Sequence, residues 1–334
     1  SLRRFYEQEE NTVDVLGLGT SHVYEGLCPA VLYQEYGIAA YDLCAPAQRV
    51  WNSYYYFVEA LKTQKPKAVV FDVYMLNTTT EFDTTANAIK STYGMKWSKN
   101  KIDAMKASFP EEEFPEIFFE FFQYHSRYGE LSQANTWYDA GDPAYYGDSY
   151  KGYYCYDTIQ EISRPDPYSQ TGTREFPEKY ERYFRAIIEL AVENQIPIYI
   201  VSIPYAIASD TQRTVNTAEQ ITKEYSSEYV HFIDFNKRYD EMGLDFSTDF
   251  SGIQHLNDNG AIKFTRYFGK ILKEELDLPD HRSDARYASW EENARIFYRL
   301  YQNNDVKNVT DLFEYVELLH SLGDGYQIIL VQNT

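Results

Sequence analysis

The chain is poor in the features that would place it with nucleic-acid-binding, membrane-spanning or disulfide-built proteins. Its 334 residues carry 31 lysines and arginines against 51 acids, a formal charge of -20, and no basic stripe that could meet phosphate. That excludes the electrostatic footprint of a nucleic-acid partner and of direct docking on anionic lipid. No run of about 18 apolar residues occurs, so nothing in the sequence reads as a membrane span. Cysteine is scarce. Cys28, Cys44 and Cys155 form neither a metal-ligand spacing nor an even disulfide framework. Cys28 and Cys44 flank two strand ends, but a bridge needs Cα atoms within roughly 4.4–6.8 Å, which spacing alone does not give. Histidine is also sparse at 6, and no cluster has metal spacing. No metal and no cofactor are expected.

What is abundant is apolar and aromatic surface. Hydrophobic residues make up 44% of the chain, enough for a full core at this length, and there are 33 tyrosines. Buried tyrosines would explain part of that number; exposed ones would line a groove or stack on sugar rings.

Short apolar runs alternate with amphipathic stretches. Val13 to Leu18 reads as a buried strand, Pro29 to Tyr36 as a helix capped by Gly37, and Ile38 to Tyr41 as a second strand. A helix with apolar positions Val50, Tyr54, Phe57, Val58 and Leu61 follows the turn at Cys44-Ala45-Pro46, and Ala68 to Tyr74 is a third strand. Downstream, Phe176 to Asn194 is helix, Pro197 to Ile203 strand, Thr214 to Tyr225 helix, Val230 to Phe235 strand, and Asn257 to Leu276 a closing helix. Such alternation implies parallel strands joined by right-handed crossovers, hence an α/β sandwich spanning residues 1–280.

Two segments break the rhythm. Residues 77–175 read as an insertion above the strand ends, with helices at Lys99 to Phe109 and Pro115 to Tyr124 and then a loop crowded with Trp137, Tyr138, Tyr145, Tyr146, Tyr150, Tyr153, Tyr154 and Tyr156. These rings suit sugar stacking, or packing of the insertion onto the sheet. Residues 281–334 form an extension, with helices near Trp290 to Tyr301 and Val309 to Leu322 and a strand-like Tyr326 to Val331, as at the start of a further module.

Chemistry gathers at two places. Gly19-Thr20-Ser21-His22 follows the first strand directly, and His255-Leu256-Asn257-Asp258 precedes the closing helix. In an open parallel sheet, turns beyond the carboxyl ends of strands converge on one crevice. Serine becomes a nucleophile when a base takes its proton, so Ser21 and His255 are the expected nucleophile and base.

These two stretches, together with Tyr41-Asp42-Leu43-Cys44-Ala45-Pro46-Ala47-Gln48 and the strand Val69 to Tyr74, resemble successive blocks of the SGNH/GDSL hydrolase family. The resemblance covers about residues 11 to 276 apart from the insertion. It is closest to an exported, membrane-tethered bacterial branch that includes accessory proteins of polysaccharide O-acetylation and teichoic-acid D-alanylation. It implies a flavodoxin-like three-layer sandwich and an extracytoplasmic location, with an anchoring segment before Ser1. It also implies a serine esterase or acyltransferase working on O-acyl groups of a surface glycan or on a small ester. The alternative is a glycan-binding or scaffolding partner of a membrane-bound O-acyltransferase that has lost catalysis.

Carried over by position, the Ser21 N–H and the turn at Cys44 would stabilise an oxyanion, each donor worth roughly 3 kcal/mol. Gln48 and Asn77 are possible side-chain donors or cap residues, and His22 belongs to the nucleophile motif or packs under it. His125 and Arg127 could contact an anionic or sugar substrate, or end a solvated helix. His231 opens a strand, while His281 and His320 lie in the extension. The branch places an aspartate three residues before the histidine, where this chain has Gly252. Asp249 is the nearest candidate to orient the imidazole and Asp245 the next; each also suits a tight turn.

Overall fold

The computed structural model describes residues 2–115, 150–308 and 315–316. Five strands form one all-parallel sheet: β1 (Val15–Leu18), β2 (Ala40–Asp42), β3 (Ala68–Asp72), β4 (Ile198–Ser202) and β5 (Val230–Asp234), in the order β2-β1-β3-β4-β5. That order is compatible with a flavodoxin-like doubly wound sandwich. β1 is flanked by β2 and β3 with Val15 opposite Ala40 on one side and Ala68 on the other. The strand order reverses there, and this opens the crevice at the carboxyl ends of β1 and β3.

The helices, in chain order, are α1 (Leu2–Phe5), α2 (Ser21–Tyr24), α3 (Pro29–Tyr36), α4 (Val50–Ala60), α5 (Thr85–Tyr93), α6 (Lys99–Ser108), α7 (Glu178–Glu193), α8 (Ser209–Lys223), α9 (Tyr239–Met242), α10 (Asp258–Glu275) and α11 (Ala288–Asn308). Side chains alternate across each strand, so a parallel sheet must be apolar on both faces. Leu16, Leu18, Val69, Phe71, Ile198 and Ile200 pack with α4 and α7 residues such as Trp51, Phe57, Phe184 and Ile188. Val15, Val70, Tyr199 and Val201 face the opposite way, toward Leu32 of α3 and Phe264, Phe268 and Leu272 of α10.

Most element boundaries differ from the sequence reading by a few residues, for local reasons. β3 stops at Asp72 instead of Tyr74 because the Asp72 carboxylate accepts the Tyr74 N–H at 3.0 Å, turning the chain into a 3-10 turn at Tyr74–Asn77. The second strand begins at Ala40, since the Ile38 N–H is used by the Leu32 carbonyl in closing α3 behind Gly37, whose φ is 70°. α8 starts at Ser209, a full turn before its apolar stripe becomes readable at Val215. α5 was not expected: it buries only Ala88, Ser91 and Thr92 and owes its start to the Thr84 cap.

Lys99–Ser108 of the insertion is helical as expected, and the Ser108 hydroxyl accepts the Trp51 indole N–H at 3.1 Å. The expected helix at Pro115 to Tyr124, apart from Pro115 itself, and the rings from Trp137 to Tyr146 lie outside the described residues, as do His125, Arg127, His320, the helix at Val309 to Leu322 apart from two residues, and the strand-like end. Tyr150 and Tyr153 are each 1% exposed, so these two rings pack the core and are not available to stack on a sugar. The region beyond residue 280 shares that core: Tyr287, Trp290, Ala294 and Phe297 join the same apolar cluster, and the Trp290 indole donates to the Ala40 carbonyl at 2.9 Å. No helix among the described residues is long and apolar enough to cross a membrane.

Candidate active site

The turn after β1 is shaped by Gly19, with φ at 152°. A Cβ there would meet a Val23 methyl at 2.7 Å and the Asp72 Cβ at 3.3 Å, so both the backbone angle and the space require glycine. The chain leaves this turn as α2 with Ser21 at its first position. Thr20 makes no side-chain cap, and the N–H groups of Ser21 and His22 have no acceptor among the described residues. The Cys44 N–H is in the same condition.

His255 arrives from the far end of the sequence. Ser251 donates its N–H to the His255 carbonyl at 3.1 Å, and Phe250 bridges Leu256, so the imidazole stands on a tight loop ahead of α10. His255 Nε2 lies 2.8 Å from Ser21 Oγ across 234 sequence positions. Both side chains are half-buried. Burial lowers the His255 pKa, which keeps the ring a neutral acceptor for the serine proton.

The His255 ring rests against a second imidazole. The His22 ring lies 5.1 Å from that of His255, is stacked on Tyr74 at 3.7 Å, and meets Tyr205 edge-on at 4.9 Å. Burial first, and the nearby His255 second, push the His22 pKa well below that of a free imidazole. Its Nε2 is buried without a partner, so His22 is a neutral packing ring behind His255. Tyr74 and Tyr205 were not singled out from the sequence; their position after β3 and β4 was the available signal.

The remaining expected residues separate into those placed at the site and those placed elsewhere. Cys44 is at the crevice, with its thiol 3.6 Å from the Gly17 carbonyl and its pKa raised by burial and then by Asp42. All three cysteines are free. Gln48 is turned into the core, 0% exposed, donating to the Ser53 hydroxyl at 3.0 Å, and does not serve as a substrate donor. Asn77 uses its oxygen to accept from Arg174 at 3.0 Å and Thr214 at 3.2 Å. Arg127 lies outside the described residues.

Asp249 does not reach His255. Its carboxylate takes the ammonium of Lys263 in α10 at 2.6 Å, the Asp245 N–H at 2.7 Å and the Thr248 hydroxyl at 3.1 Å. Asp245 accepts from the backbone and hydroxyl of Ser247 and is a turn residue. His255 therefore has no carboxylate partner among the described residues. At Gly252 an added Cβ would meet only Gln160 Oε1, at 3.4 Å.

Three acids crowd the periphery. Asp72 is pushed up to about 7 by burial, partly offset by N–H donors from Ile203 and Tyr74. Asp258 is raised to about 6 by burial while accepting from the Tyr153 hydroxyl and the Tyr156 N–H. Glu25, one turn beyond Ser21, is raised to about 7 by burial and by Asp258. No group of three histidine, cysteine or acidic side chains suited to a metal ion occurs among the described residues. An alcohol hydrogen-bonded to a desolvated imidazole, with unpaired backbone N–H groups nearby, can transfer a proton and form an ester. The chain matches no family model and no curated protein.

Proposed function

We propose that the chain is a serine esterase or O-acyltransferase of SGNH type, with Ser21 as nucleophile and His255 as general base. One observation carries the reading: the 2.8 Å contact between Ser21 Oγ and His255 Nε2 at the crevice of a parallel sheet. Ser21 attacks the acyl carbonyl as His255 takes its proton, and the Ser21 and Cys44 N–H groups face the developing oxyanion. His255 then returns the proton to the leaving alcohol. The acyl-enzyme is discharged to water, or to a sugar hydroxyl where one is bound. The substrate class we propose is an O-acyl, chiefly O-acetyl, glycan of a bacterial cell surface, met in an extracytoplasmic, membrane-tethered setting. This rests on the motif resemblance and on the tyrosine content.

Turnover of 4-nitrophenyl acetate by the protein, by Ser21→Ala and by His255→Ala tests the chemistry. Each substitution is expected to lower kcat by about a thousandfold or more. Equal rates in all three would remove the esterase reading. Acceleration by an added oligosaccharide would mark transfer rather than hydrolysis.

A second reading is favoured by the engagement of Asp249 with Lys263. With no carboxylate behind His255 among the described residues, this reading makes the fold a glycan-binding or scaffolding partner of a membrane-bound O-acyltransferase. Glycan binding undiminished in Ser21→Ala, with no ester turnover by the parent protein, is the result expected of that reading.

A further inference from the structure

The imidazole of His255 keeps its aim on Ser21 without an acid behind it, and the surrounding hydrogen bonds account for this. Asn257, two residues on and 1% exposed, donates its side-chain amide to three carbonyls: Thr248 at 2.8 Å, Thr158 at 3.2 Å and Phe250 at 3.4 Å. Its Oδ1 accepts the Gly260 N–H at 3.2 Å and caps α10. One side chain thus ties together the segment entering the base loop, the helix leaving it, and the strap at residues 156–160.

That strap is fastened on both sides. The Gln160 N–H donates to the Phe250 carbonyl at 2.8 Å, and the Asp258 N–H to the Tyr156 carbonyl at 2.8 Å. Farther along, the Tyr154 N–H donates to the carbonyl of Tyr24, one turn along α2 from Ser21, at 2.6 Å. The nucleophile and base elements are therefore joined through one length of backbone, with Asn257 at its junction with the base loop.

We propose that Asn257 is the positioning residue for His255, aiming the imidazole by clamping its backbone in place of an orienting carboxylate. The inference rests on the serine-nucleophile reading for its consequence in catalysis, but the clamp itself is a property of the loop. Four hydrogen bonds converge on one buried amide; without it the Thr158 carbonyl loses its donor, the Thr248 carbonyl is left with the longer contact from Asn259 at 3.4 Å and the Phe250 carbonyl with the Gln160 N–H, so the loop is held less tightly. Asp249 has the other role open to a buried acid: it neutralises Lys263 and holds the Asp245 turn.

The test compares Asn257→Ser, which keeps an oxygen for the helix cap and removes the amide NH2 that spans the three carbonyls, with Asp249→Asn. His255 is followed by NMR titration, which needs no turnover, and thermal midpoints report folding. In Asn257→Ser the ring is expected to loosen into solvent, so its titration moves up toward that of a free imidazole, and kcat falls about tenfold or more at unchanged KM. Asp249→Asn is expected to lower the midpoint and leave the His255 titration in place. A folded Asn257→Ser with an unmoved titration would overturn the inference, as would Asp249→Asn shifting it. A clamp that passes this test in a protein inert toward esters would leave the inference standing and remove the enzymatic reading.

Discussion

Lys263 Nζ stands 2.6 Å from Asp249 Oδ2, and this ion pair turns the nearest upstream carboxylate away from His255. The position that could hold an acid is open. At Gly252 a new Cβ would touch only the far end of Gln160, a side chain able to move. Gly252→Asp is therefore expected to fold normally and to raise kcat for 4-nitrophenyl acetate by about tenfold or more, since an acid behind the imidazole stabilises its charged form. A variant with unchanged or lower kcat would show that this loop cannot present a carboxylate to the ring.

The dependence of rate on pH follows from burial. Burial lowers the His255 pKa, so the neutral, proton-accepting form persists to more acidic solution than for a free imidazole. The acidic limb of kcat/KM should fall below the ordinary imidazole range, near 6.5. A limb at or above that range would contradict a desolvated base. His22, lowered by burial as well, adds no second ionisation there.

Asp42 predicts a pH dependence of stability. It is 1% exposed, both its oxygens are buried without partners, and burial raises its pKa well above that of a free carboxyl. A raised folded-state pKa means the folded chain holds the proton more tightly than the unfolded one. The contribution is fully present below about 4 and is lost as pH rises through the folded value. Asp72, raised to about 7, acts in the same direction. His22 and His255, lowered by burial, act in the opposite direction in parent and variant alike, so the difference between them reports the carboxyl: Asp42→Asn should gain midpoint relative to the parent as pH rises from 4 to 7 and be the more stable of the two at neutral pH. A variant less stable than the parent at pH 7 would show Asp42 to be usefully ionised.

Trp290 measures how far the region beyond residue 280 belongs to the fold. It is 1% exposed, bonded to the Ala40 carbonyl, with the Lys151 ammonium 3.8 Å from its ring centroid. Trp290→Ala should cost about 3–5 kcal/mol. A loss near zero in denaturant titration would make this region a peripheral addition.

The sheet and its main helices were legible because their signals are local and repeated: β-branched runs of strand length, apolar spacing of three and four, and stops at Gly37 and Pro66. The meeting of Ser21 with His255 was legible for a related reason, since strand-end turns in such a sheet share one crevice. The Asp249 role was not legible, because its partner Lys263 is a helix away and spacing cannot tell an ion pair from a catalytic one. Gln48 misled in the same manner: an amide after a strand end faces substrate or core according to tertiary packing. α5 escaped notice because a helix that buries serine and threonine has no apolar stripe.

The crevice draws its alcohol from the turn after β1 and its imidazole from the threshold of α10. A fragment that stops short of residue 255 holds all five described strands of the sheet and still lacks the Ser21–His255 pair, so the contact forms only once the sequence of the parallel core is complete.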